Sequence, residues 1–133
     1  MTEQTPAAVA TTYFDALGRG DIPTVMAQFS DTVVWHQPGA NKFSGDHAGV
    51  DGVGALLGGM MEASGGTFQL AVTGPAMVNG ELVAVPVRFT GTRATASMDM
   101  AGVDLLTVRD GKIAEVHLFS EDGAAEDTFW GKN

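Results

Sequence analysis

The sequence predicts a single α+β domain in which helices pack on one face of a curved sheet. Apolar residues recur every three or four positions in the first part of the chain, as they do in amphipathic helices. The second half shows mostly strand-like alternation, and Asp110-Gly111 is a strong signal for a tight hairpin turn. Helices followed by a run of strands are typical of the α+β class. The length of 133 residues, without a linker or repeat, favours one domain over residues 1–133.

The first two helices are predicted from their capping residues. Thr5 is a suitable N-cap with Pro6 at the first helical position, and a Gly-Arg-Gly run at 18–20 ends this helix. Asp21 caps a second, short helix, which ends before the Ser-Asp pair at 30–31.

The rest of the chain is predicted to contain two further helices and most of the strands. An apolar stripe at 53–61 predicts a third helix, and Asp122 opens a last short one. Residues 37–51 are predicted as turn and loop, and Pro86 indicates an edge strand or a bulge. Strands are predicted at 32–36, 67–73, 82–92, 94–100, 104–108 and 113–119.

Composition and charge exclude several classes of protein. Seven Lys and Arg against 16 Asp and Glu give a net charge of −9, and the basic residues are scattered, so nucleic acid is not an expected partner. The absence of cysteine excludes disulfides, thiol catalysis and cysteine-ligated zinc. No apolar run approaches the roughly 20 residues that span a bilayer, and the acidic, polar start lacks the features of a signal peptide. We therefore expect a cytoplasmic protein without a membrane partner.

Three polar residues stand inside otherwise apolar segments and are the candidates for chemistry. Tyr13 lies on the apolar face of the first helix, His36 ends the first strand, and Asp104 begins an apolar strand. Each has a structural alternative: a core tyrosine with a satisfied hydroxyl, a strand-end histidine that hydrogen-bonds, and an acid still in contact with water. The functional interpretation is an oxyanion donor, a general base near neutral pH, and a carboxyl group perturbed by apolar surroundings.

The other histidines and acids are weaker candidates. His117 is expected to point away from the side that Val116 and Leu118 face, so it lies on the outer face of its strand or at a subunit interface. His47 falls in a loop, and Asp15 on the solvent side of the first helix. The three histidines show neither HxxxH nor HxH spacing, so no metal site is predicted. No phosphate- or dinucleotide-binding motif indicates a cofactor.

The chain resembles the nuclear transport factor 2-like (NTF2-like) superfamily in two places. The N-terminal part of the family sequence is similar to residues 13–17, 20–21 and 29–35, and a hairpin near its C-terminal end is similar to residues 110–116. More narrowly, the chain resembles the ketosteroid isomerase and SnoaL-like polyketide cyclase branch, over nearly its whole length. The resemblance implies a cone-shaped α+β barrel of the NTF2-like, cystatin-like type. In such a barrel, three to four helices pack on the concave face of a curved mixed or antiparallel sheet. It also implies a deep apolar pocket and, usually, a homodimer.

The resemblance also implies a set of site residues. Ketosteroid isomerase uses an Asp base and an oxyanion hole made by a Tyr and a protonated Asp. By resemblance, Tyr13 and Asp104 stand at the two oxyanion positions. The base stands eight residues before the Ser-Gly pair at 44–45, and here that residue is His36 (44 − 36 = 8). A neutral imidazole can still remove a proton, and it becomes cationic beside the enolate that forms.

The first functional hypothesis is a cofactor-independent isomerase, dehydratase or polyketide cyclase acting on a small hydrophobic carbonyl compound. His36 would be the base, and Tyr13 and Asp104 would stabilise the developing oxyanion. The substrate-binding residues are expected among apolar side chains of the interior: Phe14, Trp35, Leu56, Met60, Met98, Val116 and Leu118.

Two alternatives remain open from the sequence. One is epoxide opening by activated water, with Asp104 or Asp99 as the base and Arg88 or Arg93 nearby. The other is a non-catalytic module that binds a small ligand or a protein partner, because this fold also serves proteins that are not enzymes.

Overall fold

A computed structural model describes residues 4–131, so residues 1–3 of the polar N-terminal segment and residues 132–133 lie outside the described part. The described part contains four helices and seven strands. The helices are α1 (Pro6–Arg19), α2 (Ile22–Ala27), α3 (Gly49–Ala63) and α4 (Gly123–Trp130). The strands are β1 (Phe29–Gln37), β2 (Gly45–Ala48), β3 (Gln69–Val72), β4 (Met77–Asn79), β5 (Leu82–Thr92), β6 (Ser97–Arg109) and β7 (Lys112–Ser120).

All four predicted helices are confirmed, and three of them begin at the predicted capping side chains. The Thr5 hydroxyl oxygen accepts a hydrogen bond from a backbone N–H of the first turn of α1, and Asp21 and Asp122 do the same for α2 and α4. Gly20 ends α1 with a φ of 68°, a left-handed conformation that glycine adopts without steric cost.

The strands form one curved, mixed sheet in the order β2-β1-β7-β6-β5-β3, and β4 pairs with another part of β5. The predicted Asp110-Gly111 turn joins β6 to β7, and both residues have the positive φ that such hairpin turns require. All pairs are antiparallel except β1 and β7, which run parallel. This pairing joins the first strand of the chain to the last.

Three details of the sheet differ from the prediction. The loop predicted before the third helix contains β2, whose four residues pair with the end of β1. The short strand β4 was not predicted, and the two strands predicted at 94–100 and 104–108 are one continuous β6. Short or Gly-containing strands carry weak periodicity, so pairing with neighbours decides these segments.

Pro86 lies inside β5 at a position where its missing N–H removes no hydrogen bond of the sheet. On one side of β5, β3 pairs with residues 87–90 and β4 with residues 82–84. Pro86 falls between these two ladders, and its carbonyl accepts a hydrogen bond from the Thr73 N–H at 3.0 Å. The proline therefore stands at the point where the neighbouring strand changes.

The sheet has an inner face, which carries Trp35, Asp104 and Val116, and an outer face, which carries His36 and His117. Helices α1, α3 and α4 contact the strands, and the buried apolar side chains form one core cluster with the inner face. Between residues 4 and 131, no helix has the length and hydropathy needed to cross a membrane.

Candidate functional site

Tyr13 and Asp104 both lie in the interior between α1 and the inner face of the sheet, near enough for the charge of Asp104 to act on Tyr13. Tyr13 is 1% exposed and Asp104 is 4% exposed. Tyr13 comes from the buried stripe of α1, and Asp104 comes from the middle of β6, between Val85 and Leu118 on the adjacent strands. Within residues 4–131, neither the Tyr13 hydroxyl nor the Asp104 carboxyl takes part in a side-chain hydrogen bond to protein. Both groups therefore keep their hydrogen-bonding capacity for another molecule.

Burial and nearby negative charge raise the pKa of both groups. Burial raises the pKa of Asp104 from 3.8 to about 7, and the negative charge of Glu126 adds to the effect. Burial also raises the pKa of Tyr13 well above its usual value, with a further contribution from the charge of Asp104. Near neutral pH the Asp104 carboxyl is partly protonated and the Tyr13 hydroxyl keeps its proton, so both can donate a hydrogen bond.

Glu126, a second buried acid, projects from α4 into the same interior. It is 6% exposed, and its carboxylate accepts hydrogen bonds from the Trp130 indole N–H at 3.2 Å and from the Gln37 side-chain amide at 3.4 Å. The Ser120 hydroxyl donates a short hydrogen bond to its other oxygen. Gln37 in turn accepts from the Trp35 indole N–H at 2.9 Å. These hydrogen bonds hold the Glu126 carboxylate close to Asp104.

Sequence reasoning missed Glu126 and Gln37, although signals for both were present. Glu126, Phe129 and Trp130 lie at positions i, i+3 and i+4 of a short helix, so they share one face. Gln37 continues the alternation of Trp35 toward the inner side of β1. Both residues stand near element ends, where polar side chains are expected to face solvent.

The structure does not bring His36 to Tyr13 and Asp104. The chain alternates along β1, so Trp35 and Gln37 point into the core while His36 lies on the outer face. The expectation that His36 serves as the base beside the other two residues is therefore not supported by the geometry. Counting from the Ser-Gly pair identified the strand, but it placed the base one residue away from an inward-facing position.

The predicted substrate-binding residues belong to the interior. Phe14, Trp35 and Leu56 are each less than a tenth exposed, and so are Met60, Met98 and Val116. Leu118 is partly buried and packs against the same cluster. They come from α1, α3 and the sheet and belong to, or pack against, the buried cluster that contains Tyr13.

Two grooves open on the surface near the ends of β5 and β6 and the start of α4. One has a volume of about 360 Å³ and lies between Thr67 and the ends of β5 and β6. The other has about 500 Å³ and lies between β6 and the start of α4. Both include Met98 and Asp99, and neither is lined by Tyr13 or Asp104.

The arginines of the epoxide hypothesis do not reach Asp104. Arg88 pairs with Asp99 at 2.6 Å, and their side chains are 49% and 64% exposed. Arg93 donates to the carbonyl oxygens of Phe129 and Trp130, at the C-terminus of α4. Its charge stabilises the helix end and not a reacting group.

The outer face carries a cluster that sequence spacing did not predict. The rings of His36 and His117 stack at 4.1 Å, because the two residues are register partners on β1 and β7. The Glu115 carboxylate accepts a hydrogen bond from His36 Nε2 at 3.0 Å, and Asp46 of β2 lies 2.7 Å from His36 Nδ1. The hydrogen bond to Glu115, followed by that to Asp46, raises the pKa of His36 against the effect of burial.

His117 has the predicted orientation, since it faces away from Val116. Its Nδ1 atom is buried and has no hydrogen-bond partner among the described residues. His47 stands apart from this cluster, with its Nε2 2.7 Å from the Phe43 carbonyl oxygen. Asp15 is exposed on α1, as predicted.

Comparison with known proteins shows which family and which solved structures the chain resembles. The profile of the SnoaL-like domain matches residues 10–116. A Xanthomonas campestris protein of unknown function with a cystatin-like fold is 43% identical, with 97% of this chain and all of that chain covered and a TM-score of 0.93. No curated protein sequence matches the chain.

Two more distant structures share the fold. TerC, co-crystallised with polyporic acid, is 19% identical over 96% of this chain and all of that chain, with a TM-score of 0.81. A Sinorhizobium meliloti protein proposed to be a polyketide cyclase is 20% identical over 84% of this chain and 93% of that chain, with a TM-score of 0.68. At this level of identity the similarity shows the fold alone.

Proposed function

Since the chain belongs to the SnoaL-like family of the NTF2-like superfamily, we propose that it is a cofactor-independent acid/base enzyme. Its substrate is a small hydrophobic carbonyl compound, and the reaction is a proton transfer of the isomerase, dehydratase or polyketide-cyclase type. One observation carries the proposal: Tyr13 and Asp104 are buried together, make no hydrogen bond to protein within residues 4–131, and can both donate near neutral pH.

The proposed role of Tyr13 and Asp104 is to stabilise an oxyanion. When a proton leaves the carbon next to a carbonyl group, negative charge develops on the carbonyl oxygen. Two buried donors that are already oriented stabilise that charge more than they stabilise the neutral carbonyl group. The apolar walls around them exclude water, which strengthens both hydrogen bonds.

The proposed base is Glu126. It is a second carboxyl group in the same interior, and its hydrogen bonds to Gln37, Ser120 and Trp130 hold it in one orientation. Two carboxyl groups in different environments can take different roles, so that one keeps its proton as a hydrogen-bond donor and the other accepts a proton as the base. This assignment replaces the imidazole base with a carboxylate on α4.

The proposed substrate class is chosen with two neighbours of the same fold in view. One is co-crystallised with polyporic acid, and another is proposed to be a polyketide cyclase. The apolar side chains around Tyr13 and Asp104 suit a substrate that is largely hydrophobic with one or two oxygens.

Hydrogen–deuterium exchange tests the chemistry without knowledge of the natural substrate. We expect the protein to accelerate exchange of the α-protons of 2-tetralone, a small hydrophobic ketone, as followed by NMR in D₂O. Tyr13→Phe and Asp104→Asn should each slow the exchange by about 100-fold, the effect of losing one oxyanion donor. Asp15→Asn, an exposed change on the same helix as Tyr13, is the matched control and should leave the rate unchanged.

Other outcomes of this experiment would select another function. Saturable binding of the ketone without any acceleration of exchange would contradict catalysis and favour the non-catalytic binding module. Loss of exchange in His36→Gln, with Glu126→Gln unaffected, would return the role of base to the histidine.

A homodimer in the cytoplasm is part of the same proposal. Pro86, Val103 and Phe119 are register neighbours across β5, β6 and β7 and form an apolar row on the outer face. Phe119 is 54% exposed and Val103 38% exposed. An apolar row of this kind on a sheet is a suitable surface for a second copy of the chain.

Light scattering after size exclusion tests the dimer. We expect the parent protein to elute with the mass of two chains and Phe119→Asp with the mass of one, because a charge replaces an apolar contact. Ile22→Asp changes an equally exposed apolar residue on α2 and should remain dimeric. A monomeric parent, or a dimeric Phe119→Asp, would contradict the use of this surface.

A further inference from the structure

The outer face of the sheet holds a group of ligand-type side chains that the proposed reaction does not use. We propose that His36, Glu115 and His117 bind one divalent transition-metal ion of the zinc type, with Asp46 as a supporting residue. One nitrogen or oxygen of each of the three ligands lies within 4.8 Å of the others. We refer to these three residues, with Asp46, as the outer histidine cluster.

The chemistry of the donors selects the metal. Two imidazoles and one carboxylate are a ligand set that zinc uses where its fourth position stays open to water or another ligand. Imidazole nitrogens favour zinc, cobalt, nickel or copper over magnesium and calcium, which prefer oxygen ligands throughout. In the single chain the group is half-buried, so an ion can reach it without opening the core.

Strand pairing brings the ligands together and holds their backbones. His36 and His117 are partners in the parallel ladder of β1 and β7, and Glu115 precedes His117 by two residues on the same face of β7. Ligands on adjacent strands are more precisely placed than ligands on loops. The two rings stand almost parallel, with 16° between their planes, so both must rotate about their side-chain bonds to direct a nitrogen at one ion.

Asp46 has the position of a supporting carboxylate. Its Oδ1 lies 2.7 Å from His36 Nδ1, and it comes from the antiparallel partner of His36 on β2. When an ion displaces the proton of His36 Nε2 to solvent, this hydrogen bond keeps the other proton on Nδ1 and leaves the lone pair of Nε2, the atom that faces Glu115, for the metal. A metal-bound histidine usually donates its other N–H to a carboxylate or carbonyl in this way.

A hydrogen-bond network alone does not explain the unpaired nitrogen of His117. Its buried Nδ1 has no hydrogen-bond partner among residues 4–131, and buried polar atoms are nearly always paired. His36, by contrast, is satisfied at both nitrogens by Asp46 and Glu115. A metal ion bound by His36 and Glu115 would give His117 a partner, because the imidazole could bind the same ion.

Calorimetric titration of the full, untagged chain with Zn²⁺ tests the proposal, and visible absorption of the Co²⁺-loaded protein reports nitrogen ligation. We expect one ion per chain with a dissociation constant on the order of micromolar. His36→Gln and His117→Gln should each weaken binding at least about tenfold, and Asp46→Asn should weaken it by about tenfold through His36. His47→Gln is the matched control, because His47 is the third histidine of the chain and lies outside the cluster; its affinity should be unchanged.

Circular dichroism of each variant establishes that it is folded before titration, and Glu115→Gln provides a ligand substitution that changes little volume. Binding only at millimolar Zn²⁺ would overturn the proposal. So would equal weakening in His47→Gln, or full binding by His36→Gln and His117→Gln.

Discussion

Asp104→Asn is expected to stabilise the protein at pH 8 by about 3 kcal/mol more than at pH 5. The native pKa of Asp104 is about 7, whereas the unfolded value is 3.8. Between these values the native chain holds a proton that the unfolded chain has released, so the contribution of Asp104 to stability falls as the pH rises. Below about pH 4 both states are protonated and there is no cost. Above pH 7 the full cost, about 4 kcal/mol, is present.

Urea unfolding of parent and variant at several pH values measures this effect. The difference between the two unfolding free energies removes the contributions of other groups, since they are common to both proteins. Asp15→Asn, an exposed substitution, should show a difference that does not change with pH. A difference between Asp104→Asn and the parent that is equally flat would show that the carboxyl group is not desolvated.

Glu126→Ala is expected to cost about 3–5 kcal/mol of stability, because it leaves buried donors of Gln37, Ser120 and Trp130 without their acceptor. Glu126→Gln keeps one acceptor oxygen and should cost less than half as much. The same substitutions remove the charge that contributes to the raised pKa of Asp104, so the pH dependence described above should shrink in both.

Unfolding free energies of the two Glu126 variants at pH 7, beside Glu62→Ala, test this expectation. Glu62 is exposed on α3 and makes no side-chain hydrogen bond within the described residues, so its variant should change stability by less than about 0.5 kcal/mol. If Glu126→Ala were as stable as Glu62→Ala, the buried hydrogen bonds of Glu126 would contribute nothing to the fold.

The sequence was sufficient for the helices, most of the sheet and the two oxyanion candidates, because these depend on local patterns. Tyr13 and Asp104 were recognisable as polar residues at positions where periodicity predicts burial, and both are buried. His36 is different, because alternation along β1 places it on the face opposite Trp35, whereas the family resemblance implies an inward-facing base at this position. In a strand, an error of one residue moves a side chain to the other face of the sheet.

The parts that could not be predicted depend on pairing between distant segments. The outer histidine cluster exists because β1 and β7 are parallel neighbours, and no spacing in the sequence reports that contact. The spacing within α4 places Glu126 on the same face as Phe129 and Trp130, but where that face docks on the sheet depends on contacts with distant segments. The capping residue Asp122 was predicted correctly because a cap is a local feature.

The parallel pairing of β1 with β7 also has a consequence for how the chain folds. Its contacts join residues such as His36 and Glu115, which are 79 positions apart, so the entropy of closing a long loop must be overcome before the sheet is complete. During synthesis, one edge of β1 has no strand to pair with until almost the whole chain has emerged. Topologies rich in such distant contacts fold slowly, and an unpaired strand edge is a site of aggregation in the meantime. Shortening the chain before β7 would therefore leave β1 with an open edge and the core without one wall.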